Sequence, residues 1–308
     1  MVDVVIPFAV KPLGVRGRIV RLGAVVDDIL SRHDYPEPVA ALVAESVALT
    51  AMLGTALKFD GKFIVQTKTN GPVQMLVADF VSPGGVRGCA KYSKPRIDEL
   101  NKPDQKQLLG EGILGMTVDQ GTDMERYQGI VQLGNSTLAE AAHTYFHQSE
   151  QIPTRLRVAA GPLMARGEKQ THWRAGAILV QHLPSEGGSS PLPEMQGDAP
   201  EGSAIDIQED DNWVKARLLL DTIEDHELLD PTLTAEDILY RLYHEDGVTV
   251  YPALPISRHC TCSSEAVSTM LQNFSAKDRA DMVKDDQIEV ICEFCSTPYR
   301  FKLADFAA

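Results

Sequence analysis

Two periods of apolar and polar positions alternate along the first 183 residues. β-Branched runs with strand-like spacing occur over 62–69, 73–80, 86–93, 112–119, 127–134 and 171–181. Turn sequences such as Asn70-Gly71-Pro72 and Pro83-Gly84-Gly85 bound them, which predicts strands. Helical spacing instead predicts helices over 22–31, 38–57 and 136–148. Several of these strands follow one another with no helix between them, which favours antiparallel pairing. The expected fold class is α+β, with a mixed α/β domain built on an antiparallel sheet over residues 1–183.

The pattern then changes. Twelve of the twenty residues from 184 to 203 are Pro, Gly or Ser, the composition of a mobile connection. A helical pattern follows over 209–227 and places Trp213, Ala216, Leu220 and Ile223 on one face. A second starts at the capping sequence Thr234-Ala235-Glu236-Asp237 and gathers Ile238, Leu239, Leu242 and Tyr243. Charge is placed unevenly around these helices. Of the chain's formal −14, residues 1–183 contribute +2, 184–246 contribute −14 and 247–308 contribute −2. The acidic segment has two readings. It is a solvated helix face, or it is a marginally stable element because like charges repel.

Residues 247–308 read as a small third domain. Ser263 or Ser264 can cap a helix to about 273, and Ser275-Ala276-Lys277-Asp278 can start another. Ile288, Val290 and Cys292 alternate towards a turn, and Tyr299, Phe301 and Leu303 alternate back, as in a hairpin. Four of the five cysteines lie here. Cys260 and Cys262 form a C-x-C pair, and Cys292 and Cys295 form a C-x-x-C pair. Two close thiol pairs brought together by a short folded segment suit a tetrahedral Zn²⁺ site, with Zn–S distances of about 2.3 Å and a site charge of about −2. About 60 residues bury too little surface to be comfortably stable alone. Structural zinc contributes about 10–16 kcal/mol at neutral pH, so its removal is expected to unfold the tail.

Composition narrows the function classes. No basic footprint of the kind that neutralises phosphates is present, which argues against nucleic-acid binding. The apolar stretch 38–57 contains Glu45, Ser46 and Thr50, so a buried helix is expected there and not a membrane span. An early acid and Pro7 argue against a signal peptide, and the expected location is the cytoplasm. In a reducing compartment, paired cysteines point to metal or redox chemistry.

Other candidates are weaker. Cys89 reads as a small buried hydrophobe. His259 beside Cys260 is a competing ligand, though four cysteines already complete a site. His143 and His147 are four apart on a helix, but Thr144 stands where a metalloprotease places its glutamate. Trp213 is a core anchor, or an apolar surface revealed if its helix melts. Neither a phosphate-binding glycine loop nor a catalytic constellation is found, so no enzyme is expected. Two alternatives remain open on the residues alone: a constitutive zinc-ribbon interaction module, and a thiol oxidoreductase using Cys292 and Cys295.

At these cysteines the chain resembles the redox-regulated holdase chaperones of the heat-shock protein 33 family. The likeness is carried by His259-Cys260-Thr261-Cys262-Ser263, by 288–295 and by Tyr299-Arg300-Phe301. It extends to Val15-Arg16-Gly17-Arg18, Leu57-Lys58-Phe59-Asp60-Gly61, Val86-Arg87-Gly88, Tyr127-Gln128-Gly129-Ile130-Val131 and 149–154. The resemblance implies an ATP-independent chaperone that is inactive when reduced, with one Zn²⁺ held by Cys260, Cys262, Cys292 and Cys295. It implies that oxidation pairs Cys260 with Cys262 and Cys292 with Cys295, expels zinc, and unfolds the tail and the acidic helices. Apolar surface on the linker and on 1–183 would then bind unfolding clients, and the activated protein would be a homodimer. The Pro/Gly/Ser-rich stretch is longer than the family pattern.

Overall fold

The structure, a computed structural model, describes residues 3–56, 60–120, 126–150, 152–164, 170–183 and 210–306. The predicted linker 184–203 and the end of the helix predicted to reach residue 57 lie outside these residues.

In chain order the strands are β1 (Val4–Val10), β2 (Val15–Leu22), β3 (Lys62–Thr69), β4 (Val73–Val81), β5 (Gly85–Tyr92), β6 (Gly112–Asp119) and β7 (Tyr127–Gln132). There follow β8 (Thr154–Leu163), β9 (His172–His182), β10 (Thr249–Val250), β11 (Leu254–Pro255), β12 (Ser257–Arg258), β13 (Ile288–Ile291) and β14 (Pro298–Phe301). The helices are α1 (Ala24–Leu30), α2 (Glu37–Gly54), α3 (Lys94–Asp98), α4 (Gln105–Leu109), α5 (Leu138–Tyr145), α6 (Asp211–Asp221), α7 (Asp225–Leu229), α8 (Ala235–Tyr243), α9 (Ser264–Gln272) and α10 (Ala276–Asp281).

Two large sheets form a body. The first has the order β10-β1-β2-β9-β8, with β11 also paired to β1; the second has the order β12-β5-β4-β3-β6-β7. Every pairing between the longer strands is antiparallel, as the uninterrupted strand pattern predicts. Helix α2 packs against strands of both sheets. It is long and apolar enough to cross a membrane, yet most of it is buried in the protein. Its hydroxyls are satisfied internally, Ser46 donating to Val43 O and Thr50 to Ser46 O. Gly88 permits this approach: a Cβ there would lie 2.7 Å from a Val47 methyl.

The first sheet is apolar on both faces, as the period-2 geometry of strands allows. Val5, Val20, Leu22, Ala177 and Leu179 join the core around α2. Ile6, Phe8, Val10, Ile19, Ile178 and Val180 face the other way and are covered by α6, α7 and α8. The apolar faces read from the sequence are buried there: Trp213, Ala216, Leu220 and Ile223 from the first pattern, and Ile238, Leu239, Leu242 and Tyr243 from the second. Helix α8 begins at the predicted box, where Thr234 Oγ1 accepts from Asp237 N and the Asp237 carboxylate accepts from Thr234 N.

The structure revises several expectations. The helix predicted over 209–227 is two helices, because the Glu224 amide donates to the Glu227 carboxylate and opens α7 while Ile223 enters the core. The acidic face is not simply solvated. Asp221 pairs with Arg155 at 2.6 Å and Asp225 with Arg157 at 2.9 Å, both from β8. Leu22 closes β2 instead of opening a helix, since α1 starts at Ala24. Strands β1, β2 and β8 were not anticipated; Pro7 and the charged alternation at Arg16 and Arg18 obscured the first two. Residues 249–258, read as the start of the tail, add β10, β11 and β12 to the two body sheets.

After residue 258 the predicted elements appear in order. Ser263 and Ser275 cap α9 and α10 through their hydroxyls. Strands β13 and β14 pair as a hairpin, Ile288 opposite Phe301 and Val290 opposite Tyr299. The tail's own core is small, with Leu271, Ile288 and Phe301 buried. A core of that size needs a further staple.

Candidate metal centre

The four tail cysteines meet at the place where the tail touches the body. Strand β12 runs parallel to β5, with Arg258 opposite Val86, and His259 N donates to Val86 O at 2.8 Å. That pairing sets Cys260 and Cys262 beside the second sheet. Gly85 allows the close approach, since a Cβ there would lie 2.7 Å from His259 Cβ. The second pair comes from the turn that closes β13 and β14. Cys292 N donates to Thr297 O at 3.0 Å and Ser296 N donates to Cys292 O at 2.8 Å, with Ser296 at a left-handed φ of 54°.

The sulfurs converge. Cys260 Sγ lies 3.3 Å from Cys262 Sγ and 3.7 Å from Cys292 Sγ, and Cys262 Sγ lies 3.3 Å from Cys295 Sγ. All four are within 4.8 Å of one another. A tetrahedral ZnS₄ site with 2.3 Å bonds has sulfurs about 3.8 Å apart, and three of the separations here lie at or within about half an ångström below that value. Four thiols with no oxygen or imidazole among them are a soft donor set, compatible with zinc. The tail therefore contains a cluster that can hold a metal ion.

Its protonation chemistry fits a cation. Burial opposes ionisation of Cys295, but the Thr297 hydroxyl and amide and the adjacent thiols hold it down at about 6. Burial and the neighbouring thiols push Cys262 up to about 12, against the Tyr299 hydroxyl that donates to it at 3.1 Å. Cys292 is also raised, first by burial. One thiolate forms readily, while burial first and the neighbouring thiols second oppose the next, a cost that a central cation offsets.

The remaining candidates fall elsewhere. His143 is a positioning group whose ring nitrogens lie 3.2 Å from Thr154 O and 3.3 Å from Leu156 O. His147 is exposed and His259 is outside the thiol cluster. Cys89 is buried, as expected, and desolvation pushes its thiol up to about 12. Its position was not legible in the sequence: it lines a crevice of about 320 Å³ together with His33, Tyr35, Cys292 and Glu293. The docking contacts were missed as well. His33 Nε2 lies 3.2 Å from Phe294 O, His33 Nδ1 lies 3.3 Å from Ser296 Oγ, and Arg258 pairs with Asp28. The sequence held one signal, the Val86-Arg87-Gly88 run, but not what Arg87 touches.

The fold and site together are a two-sheet body strapped by acidic helices, with a four-thiol tail docked on it. A family model described as Hsp33 protein matches residues 3–302. The chain is 41% identical over 303 residues to a 33 kDa chaperonin of Caulobacter vibrioides, covering 97% of this chain and 94% of that protein. It is 34% identical over 295 residues to the 33 kDa chaperonin of Serratia proteamaculans, covering 96% and 90%. The crystal structure of the 33 kDa chaperonin (heat shock protein 33 homolog) of Thermotoga maritima shares the fold with a TM-score of 0.76 at 23% identity, over 99% and 96% of the two chains. The chain belongs to the Hsp33 family, a chaperone family whose function is the binding of client proteins.

Proposed function

We propose that this protein is an ATP-independent holdase whose activity is switched on by oxidation of its tail cysteines. The observation that carries this reading is the convergence of both cysteine pairs at the junction of tail and body. In the reduced state Cys260, Cys262, Cys292 and Cys295 hold one Zn²⁺, which staples the tail and keeps its thiolates together. Hydrogen peroxide oxidises two thiolates to one S–S bond and is itself reduced to two hydroxide ions. Both pairs thus consume two peroxides, give two disulfides and four hydroxides, and leave no thiolate to hold the ion. We assign the pairs as Cys260–Cys262 and Cys292–Cys295, the pairing that the family resemblance implies.

The tail's own core is too small to stay folded without the staple, and β10–β12 connect it directly to the body sheets. Unfolding there loosens α6–α8. What they cover is an apolar sheet face with Ile6, Phe8, Val10, Ile19, Ile178 and Val180, the surface chemistry that binds unfolding chains. We place the activated protein in the cytoplasm as a homodimer.

Light scattering from a thermally unfolding client tests this reading. Suppression of aggregation by peroxide-treated protein, and not by reduced zinc-loaded protein, is expected. Equal suppression in both states would make it a constitutive chaperone with a structural zinc, and none in either would favour a zinc-ribbon adaptor.

A further inference from the structure

One side chain of the body touches the interior of both cysteine pairs. Arg87 on β5 donates from Nε and Nη2 to Asp79 Oδ2 at 2.7 and 2.5 Å. Its remaining nitrogen, Nη1, donates to Thr261 Oγ1 at 3.1 Å, and Thr261 is the residue between Cys260 and Cys262. Its flat face lies over the Phe294 ring with Cζ 3.9 Å from the centroid, and Phe294 sits between Cys292 and Cys295. Asp79 is buried on β4, so the guanidinium is fixed from the body side.

We propose that Arg87 is the latch that positions both cysteine pairs on the body, so that displacement of one pair loosens the other. Only a planar fork does all three things at once. Two N–H groups hold a carboxylate, one reaches a hydroxyl, and the π-face stacks on an aromatic ring. The latch opens without stranding a charge, because Arg87 keeps Asp79 when Thr261 and Phe294 leave. A disulfide in the C-x-x-C turn shifts Phe294, Arg87 loses its ring contact, and the C-x-C arm is then held by the Thr261 hydrogen bond, the short β12 pairing and the Arg258–Asp28 ion pair. The contact between body and tail stands on its own geometry; its use as a gate rests on the oxidation reading above.

The test compares the full-length reduced, zinc-loaded parent with a Thr261→Val/Phe294→Leu protein and an Arg87→Lys protein. The double variant leaves the Arg87–Asp79 pair intact, and the lysine keeps a cation beside Asp79. Hydrogen exchange reads the amide of His259, which bonds to Val86 O only while the arm is docked. A chromogenic chelator reads zinc release under hydrogen peroxide. Both variants are expected to retain zinc, to exchange the His259 amide about tenfold faster and to release zinc several-fold faster. Exchange and release within twofold of the parent in both variants would overturn the latch. So would loss of zinc from the reduced double variant with Arg87→Lys behaving like the parent, because these residues would then serve the cluster itself. A parent whose zinc survives peroxide would sink the oxidation reading, while the exchange comparison still decides the latch.

Discussion

Arg21, buried in the middle of the first sheet, donates through Nη1 to the carbonyl of Glu227 at 3.2 Å, at the end of the acidic helix pair. Its Nη2 bonds the carbonyl of Asp230, and its Nε finds no hydrogen-bond partner among the described residues. Burial lowers this guanidinium to about 10, with Asp230 opposing the shift. A charged pin under-satisfied in this way holds α7 down with less energy than its two bonds suggest. Replacing Arg21 by alanine frees two carbonyls and is expected to weaken docking of α6–α8 by about 2 kcal/mol. Faster amide exchange across α6–α8, with holdase activity appearing in the reduced protein, is the expected result.

Trp213 is the largest apolar anchor of α6, buried beside His182 with ring centroids 5.9 Å apart. Truncation to alanine is expected to cost about 3–5 kcal/mol of helix docking. Reduced Trp213→Ala protein should therefore bind an apolar dye and protect a client before any oxidant is added.

Removal of the thiol cluster should unfold the tail and spare the α2 core. Cys292→Ser/Cys295→Ser protein is expected to bind no zinc and to lose the dispersion of tail resonances, including those of Ile288 and Phe301. Resonances of α2 and of strands β3–β6 should persist. Zinc chelation from the parent should reproduce the same spectrum.

Glu45 on α2 gives a pH dependence. Burial raises its carboxyl to about 7, with Asp225 adding to the shift and the Gln105 amide opposing it. The folded state therefore binds a proton that the unfolded state releases near pH 4.5. Stability should fall as pH rises from about 4.5 to about 7 and level off above, by on the order of 3 kcal/mol for this group. Glu45→Gln should flatten that slope in urea titrations at pH 5, 6, 7 and 8, and should stabilise the protein most at pH 8.

The sequence by itself determined the local elements and the two cysteine pairs that can hold a metal ion. Period-2 runs between glycine- and proline-bearing turns marked β3 through β7 and β9, because alternation and turn chemistry are short-range properties. Serine and threonine caps marked α8, α9 and α10 for the same reason. The C-x-C and C-x-x-C spacings identified the four thiols, since ligand reach is itself local. Only the tertiary structure decided which faces met. Asp221 and Asp225 read as solvent-facing charges until β8 brought Arg155 and Arg157 against them across more than sixty residues. Strands β10–β12 were assigned to the tail because two-residue strands have no period to read; pairing with β1 and β5 defines them. Cys89 and Arg87 looked like ordinary strand positions. Their place under the cysteine turn comes from docking of the tail on β5, a contact of high sequence separation that no local pattern encodes.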